Sequence, residues 1–149
     1  MIILIISTTA AGAHLCDKSK KRIIICNELI SFCNSLLIDL DYRVTPAKEL
    51  VESALSSENI RHLNFISSEN ILNKKQINSL LSENENNEIS QFMYSLGKTD
   101  LKTQRKMIEN FKELIKNSRN KYSEKHKRDS KLYLSFGMFF GIVFSLIWS

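Results

Sequence analysis

The most apolar stretches of the chain lie at its two ends, and a polar sequence rich in Asn and Lys lies between them. Residues 132–148 (LYLSFGMFFGIVFSLIW) contain no charged side chain, and seventeen residues is close to the lower limit for a membrane-spanning helix. Residues 1–15 (MIILIISTTAAGAHL) also lack Asp, Glu, Lys and Arg, but this run is shorter. We therefore expect an N-terminal membrane anchor at 1–16, a C-terminal transmembrane helix at 131–149 and a separate segment at 17–130.

The first apolar run has a competing interpretation as a cleaved signal peptide. Residues 11–13 (Ala-Gly-Ala) have the small side chains of a cleavage site. However, no basic residue precedes the apolar run, and the basic residues at 18–22 follow it instead. This order favours an anchor that is not cleaved.

Basic residues flank both apolar ends on the side of the middle segment. They cluster at 18–22 and at 121–131. Since Lys and Arg beside membrane helices are retained on the cytoplasmic side, the pattern predicts a two-pass protein whose 17–130 segment is cytoplasmic. In the second span, Gly137 and Gly141 have the spacing that lets two membrane helices approach closely, although such glycines are also ordinary in membrane helices.

The middle segment shows helical periodicity over most of its length. Apolar residues recur at spacings of three and four from Ile23 to Leu40, which predicts one helix from the first membrane segment to about Leu40. Thr45 suits an N-cap and Pro46 a first helical position, so a second helix is expected from Pro46 to about Leu55.

Residues 56–97 give a weaker pattern. We expect one short helix around residues 60–66, another around 77–81, and a loop at the polar residues 82–87. A helix from about Glu88 should end at Gly97, which suits a left-handed C-terminal cap.

From Thr99 onwards no Gly or Pro occurs until Gly137. Thr99 is the expected N-cap, with Asp100 near the positive end of the helix dipole. A stripe at spacings of three and four then predicts one long helix that continues into the second span; its members are Leu101, Gln104, Ile108, Phe111, Ile115, Ser118 and Tyr122. The expected fold is all-α: an antiparallel helical bundle on the membrane with a membrane-spanning helix at each end.

Little in the sequence indicates catalysis or cofactor binding. There is no Gly-rich phosphate loop, no nucleophile elbow and no metal-binding spacing of Cys and His, so we expect neither an enzyme nor a cofactor or metal. Cys26 and Cys33 are seven residues apart, which would place both on one helix face as small core residues. Asp39 and Asp41 do not form an obvious acid–base pair and are expected to solvate a helix end.

The net charge of +5 and the basic stretch at 98–131 suit an acidic partner, an anionic membrane surface or a nucleic acid. The stretch is either a solvent-exposed helix face whose Lys and Arg residues set the membrane topology, or a docking surface for an acidic protein. Aromatic residues are too few for stacking bases, so nucleic-acid binding is not expected. The candidate docking residues are Lys98, Lys102, Arg105, Lys112, Lys116 and Arg119.

Three segments resemble the stage III sporulation protein AB family of endospore-forming bacteria. They are 39–46 (DLDYRVTP), 96–100 (LGKTD) and 131–133 (KLY), the last leading into the second span. The motif residues are Tyr42, Thr45, Pro46, Glu49, Leu96, Gly97, Thr99, Asp100, Gln104 and Lys106. The residues that would set helix starts and stops are Thr45, Pro46, Gly97, Thr99 and Asp100. Tyr42, Glu49, Gln104 and Lys106 are expected either to pack the bundle or to meet a partner.

The resemblance implies a place in the outer forespore membrane, on the mother-cell side, within the complex that links mother cell and forespore. It also implies similarity to the inner-membrane platform protein of type II secretion systems. On that analogy the chain would dock the stage III sporulation protein AA-like ATPase and contact other channel-complex subunits and membrane lipid. The alternatives are a structural channel subunit acting through Gly137 and Gly141 and, less favoured, a membrane-tethered nucleic-acid-binding protein.

Overall fold

A computed structural model describes the backbone of residues 2–42, 46–73 and 75–148, and the side chains of these ranges except those of 2–16, 42, 133, 134, 136–138 and 140–148. The described residues form five α-helices and no β-strand, which confirms the all-α prediction. The helices are α1 (Ile2–Tyr42), α2 (Ala47–Leu55), α3 (Glu69–Leu72), α4 (Glu83–Ser95) and α5 (Leu101–Trp148).

The two long helices, α1 and α5, run antiparallel and pack against each other. Asp41 forms an ion pair with Arg105 near one end, and the Arg22 guanidinium lies 5.3 Å from the centre of the Tyr122 ring near the other. We call the Asp41 end the tip and the Arg22 end the base. Both helices were predicted from periodicity, and their extents agree with the prediction.

The core is built mainly from the facing stripes of these helices. On α1, Leu29, Phe32 and Leu36 are fully buried, with Cys26 and Cys33 beside them as predicted. On α5, the predicted stripe is buried from Gln104 to Ser118, whereas its first member, Leu101, is 56% exposed. Leu101 lies at the first position of α5, beyond the end of α1, so no facing helix covers it.

The stretch Asp17–Asp41 is long and apolar enough to cross a membrane. Its apolar face, however, packs against α5, which is what the core helix of a folded domain does. Within the two predicted spans, residues 2–16 belong to α1 and residues 131–148 belong to α5, both at the base. Most of their side chains, including the surroundings of Gly137 and Gly141, lie outside the described residues.

Helix α2 covers the core near the tip through Leu50, Val51 and Ala54. Pro46 is one position earlier than predicted: its extended backbone (ψ 141°) makes it the residue before the helix, and its carbonyl accepts the first helical hydrogen bond, from the Leu50 amide at 3.1 Å. Thr45, predicted as the N-cap, lies outside the described residues.

The segment between α2 and α4 departs most from prediction. Residues 60–66 and 77–81 form turns, bends and irregular backbone, not short helices, and the single turn α3 is the only helix among the described residues between α2 and α4. Four of their apolar side chains are nevertheless buried in the core, whereas Leu80 is 42% exposed; the four are Leu63, Ile66, Ile77 and Leu81. The spacing of the apolar residues therefore indicated which side chains are buried but not the backbone conformation, because apolar runs this short fit either a helix or a packed loop.

Residues 82–87 are the start of α4 and not the predicted loop. The Ser82 hydroxyl accepts the Glu85 amide, and the Glu85 carboxylate accepts the Ser82 amide at 2.9 Å, which completes a capping box. This motif starts the helix at Glu83, five residues before the predicted Glu88, because it satisfies the first amides of an otherwise polar turn.

The turn between α4 and α5 has the predicted left-handed glycine, since Gly97 has φ +76°. The predicted N-cap is off by one residue. Asp100, not Thr99, caps α5: its Oδ2 accepts the Thr103 amide at 3.1 Å and its carbonyl accepts the Gln104 amide at 2.9 Å.

Candidate functional site at the tip

Two of the motif segments, about fifty residues apart in sequence, meet at the tip. A Cβ atom placed on Gly97 would lie 2.5 Å from the Ala47 Cβ, so the α4–α5 turn lies directly on the start of α2. On the other side, Arg105 of α5 pairs with Asp41 of α1. The described residues of the segments 39–49 and 96–106 therefore lie side by side at the tip.

The exposed part of this surface carries charges of both signs around one apolar side chain. Residues 98–102 are all exposed, and Leu101 is the apolar one. The Lys98 ammonium lies 2.9 Å from the centre of the Tyr94 ring, a cation–π contact that fixes its position. Hydrogen bonds from the Thr103 side chain and amide lower the pKa of Asp100, so the carboxylate stays ionised between the lysines.

Burial separates the motif residues into two groups. Leu96 and Gln104 are buried, at 1% and 5% exposed, and therefore pack the core. The exposed motif residues are Pro46, Glu49, Gly97, Thr99, Asp100 and Lys106. The Tyr42 side chain lies outside the described residues. Glu49 and Lys106 are thus available to a partner, whereas Gln104 is not.

The six candidate docking residues also fall into groups. Lys98 and Lys102 are exposed at the tip. Arg105, Lys112 and Arg119 recur every seven residues along the edge of α5 that faces α1, and all three are half-buried.

The remaining ion pairs of the candidate docking residues join two side chains of α5. Besides Asp41, Arg105 lies 3.6 Å from the Glu109 carboxylate, and Lys116 pairs with Glu113 at 2.6 Å. Burial raises the pKa of Cys26 and of Cys33 to about 12, and the nearby charges of Arg119 and Lys112 oppose that rise. Arg105, Lys112 and Arg119 therefore lie at the contact between α1 and α5.

A shallow groove of about 480 Å³ lies between α4 and α5 next to the tip. The Phe92 and Phe111 rings stack in its floor with centroids 4.0 Å apart. Met107 and Leu114 line its wall, and Lys106 lies at its edge. The exposed charged residues of the tip therefore lie beside an apolar groove.

A buried carboxylate that the sequence did not reveal holds the loop after α2. Glu28 of α1 is 7% exposed and accepts the backbone amides of Arg61 at 3.0 Å and His62 at 2.7 Å, and its other oxygen lies 2.6 Å from His62 Nδ1. Burial alone would raise the pKa of Glu28, but these hydrogen bonds outweigh burial and lower it. The partners are 33 and 34 residues away, so no local pattern marks the pair.

Glu85 performs a similar task at the base. In addition to its capping box, its carboxylate accepts the Tyr122 hydroxyl of α5 in a short hydrogen bond. Burial raises the pKa of Glu85, and hydrogen bonds from Ser118, Tyr122 and Ser82 outweigh that effect and lower it. The first turn of α4 is thereby attached to α5.

The comparisons with known proteins match the C-terminal part of the chain to one family. The family model of stage III sporulation protein AB matches residues 65–148, which is more than half of the chain. That range contains the 96–106 segment and the last apolar run, but not the 39–49 segment. None of the curated proteins matches the chain, and none of the solved structures does.

Proposed function

The chain belongs to the stage III sporulation protein AB family, and from this membership we propose that it is a non-enzymatic platform in the complex between mother cell and forespore. In this role it docks the cytoplasmic ATPase of that complex and connects it to the membrane subunits. The membership itself identifies a protein of sporulation stage III; the platform role is our proposal.

The proposed architecture is an antiparallel helical bundle with a membrane-spanning helix at each end. Its support is the continuity of the two long helices: α1 extends through the apolar run at 1–16, and α5 extends into the run at 132–148. Antiparallel helices place both runs at the base, on the same side of the folded part. Basic residues at 18–22 and 121–131 favour a cytoplasmic position for the segment between them, and the outer forespore membrane is what membership of the family implies.

The observation that carries the docking proposal is the meeting of the 39–49 and 96–106 segments at the tip. Residues 98–102 are exposed together, and they lie as far from the apolar ends as the two helices reach. The exposed lysines, Leu101 and the adjacent groove offer an acidic protein both charge complementarity and an apolar contact.

The test is co-purification of the full chain, in detergent, with the ATPase of the same complex at low and at moderate salt. Lys102→Glu reverses one exposed charge at the tip, and Lys75→Glu reverses one exposed charge between α3 and α4 as a matched control. We expect Lys102→Glu to weaken binding about fivefold or more at low salt, and Lys75→Glu to leave it within about twofold.

Equal weakening by the two variants would refute the tip as the docking site. A folded full chain that does not bind the ATPase would refute the platform role. That result would favour the structural channel subunit, in which Gly137 and Gly141 mediate helix association.

A further inference from the structure

The positive charge of the chain is concentrated at the base. Residues 17–22 and 119–131 together carry ten Lys and Arg and three Asp and Glu, a net charge of +7. The rest of the chain has eleven basic and thirteen acidic residues, a net charge of −2, which together gives the total of +5. The part that includes the tip is therefore slightly acidic, and the excess of positive charge lies beside the apolar ends.

Most of these basic side chains are exposed and lack a carboxylate partner. Lys21 pairs with Asp17 at 2.8 Å, and Arg128 lies 4.0 Å from Asp129. Six further exposed lysines form no ion pair with any described side chain; we call them the basic collar: Lys18, Lys20, Lys121, Lys125, Lys127 and Lys131.

Arg22 is at the same level but is not part of the collar. Its Nε donates a hydrogen bond to the Leu80 carbonyl at 2.7 Å, and its guanidinium lies over the Tyr122 ring. Arg22 therefore fastens the loop before α4 to the base, and the collar lysines are the charges left for an external partner.

The collar is distributed over two helices and over a wide arc of each. Successive helical residues turn by about 100°, so Lys125 and Lys127 point to nearly opposite sides of α5, as Lys18 and Lys20 do on α1. A folded protein or a nucleic-acid strand would contact one side of such an arrangement. A membrane surface contacts all sides at once, and the apolar run at 132–148 begins directly after Lys131.

We propose that the basic collar binds the headgroups of acidic phospholipids and so holds a shell of acidic lipid around the base. Lysine stems reach along apolar surface while their ammonium groups stay at the phosphate level. Clusters of four to eight Lys and Arg next to a membrane helix are the pattern that anionic lipid surfaces attract. This lipid preference is independent of the docking proposal, which concerns the other end of the molecule.

The test reconstitutes the full chain in nanodiscs of mixed phosphatidylglycerol and phosphatidylcholine. Each lipid in turn carries a spin label, and the fraction of motionally restricted label is measured for each. We expect phosphatidylglycerol to be preferred at the protein about threefold at low salt, and the preference to fall towards one in about 0.5 M salt, where charges are screened within a few ångströms.

Two four-lysine variants provide the matched comparison. The collar variant changes Lys121, Lys125, Lys127 and Lys131 to Gln; the control changes the exposed lysines Lys48, Lys75, Lys98 and Lys102 to Gln. The collar variant should lose at least half of the preference and the control should keep it, with circular dichroism confirming helicity in both.

Equal restriction of the two lipids by the wild-type chain would overturn the proposal, and so would an equal loss in both variants. A preference that is insensitive to salt would overturn it without any variant. Displacement of the acidic lipid by an oligonucleotide at equal phosphate concentration would assign the collar to nucleic acid instead.

Discussion

Replacing Gly97 by Ala tests the contact that joins the two motif segments. Gly97 has φ +76°, a conformation that costs an L-residue about 1–2 kcal/mol. The added Cβ would lie 2.5 Å from the Ala47 Cβ, far inside the optimum of about 3.5–4.0 Å for two carbons. Relieving such an overlap in packed surroundings typically costs about 1–3 kcal/mol.

The variant also restricts the unfolded chain, which offsets about 0.4–1 kcal/mol of that loss. We therefore expect Gly97→Ala to lower the free energy of unfolding by about 2–4 kcal/mol, a large part of the 5–15 kcal/mol that is usual for a domain. The assay is urea denaturation of the full chain in detergent micelles. Far-ultraviolet circular dichroism measures the loss of helix at each urea concentration.

A second substitution separates the steric part from the backbone part. Ala47→Gly removes the overlapping atom, and because Ala47 is the first residue of α2, the substitution alone should cost no more than about 1 kcal/mol. The double variant should recover about 1–3 kcal/mol relative to additivity and retain the cost of the left-handed backbone. Additive effects, or a Gly97→Ala loss below about 0.5 kcal/mol, would refute the packing of the turn on α2.

Three further predictions concern buried groups. Glu28→Gln should lower the free energy of unfolding by about 1–3 kcal/mol and speed hydrogen exchange at the Arg61 and His62 amides, because a neutral amide oxygen accepts their hydrogen bonds more weakly than a carboxylate does; an unchanged exchange rate would contradict this. The folded-state pKa of Glu85 is lowered from 4.5, so its stabilisation is complete above about pH 4.5 and lost as the pH falls through the lower folded-state value. Glu85→Gln should therefore flatten the decline of the urea midpoint between about pH 5 and pH 3, and a variant as acid-sensitive as the wild type would count against it. Maleimide should label Cys26 and Cys33 only after unfolding, as read by peptide mass spectrometry, since both thiols are buried; rapid labelling of Cys26 or Cys33 in the native chain would exclude this core.

The sequence predicted the parts of the fold that repeat a simple period. The stripes on α1 and α5 are long enough for their three-and-four spacing to identify both helices and the buried face of each. The left-handed turn was equally local, because Gly97 at the end of a helical pattern has few other roles. These features depend on neighbouring residues alone.

Features that depend on distant residues were not predictable from pattern. Glu28 and His62 are unremarkable by position and become a pair only when the loop after α2 folds against α1. Asp41 was interpreted as solvating a helix end, but the antiparallel register brings it to Arg105.

The start of α4 was missed for a different reason. A capping box was present at Ser82 and Glu85, but the polar residues around it outweighed that signal. The capping box lies within four residues, so the sequence alone is enough to indicate this helix start.

The uninterrupted course of the two long helices sets a stand-off distance. From Asp17 to Tyr42, α1 covers 26 residues, or about 39 Å at 1.5 Å per residue, and α5 covers a similar length from the tip to Lys131. A partner bound at the tip would therefore lie about 39 Å from the apolar ends, separated from them by α1 and α5. Removing seven residues from each of the two helices would shorten this distance by about 10 Å. The packed faces would stay aligned, because seven residues are close to two helical turns.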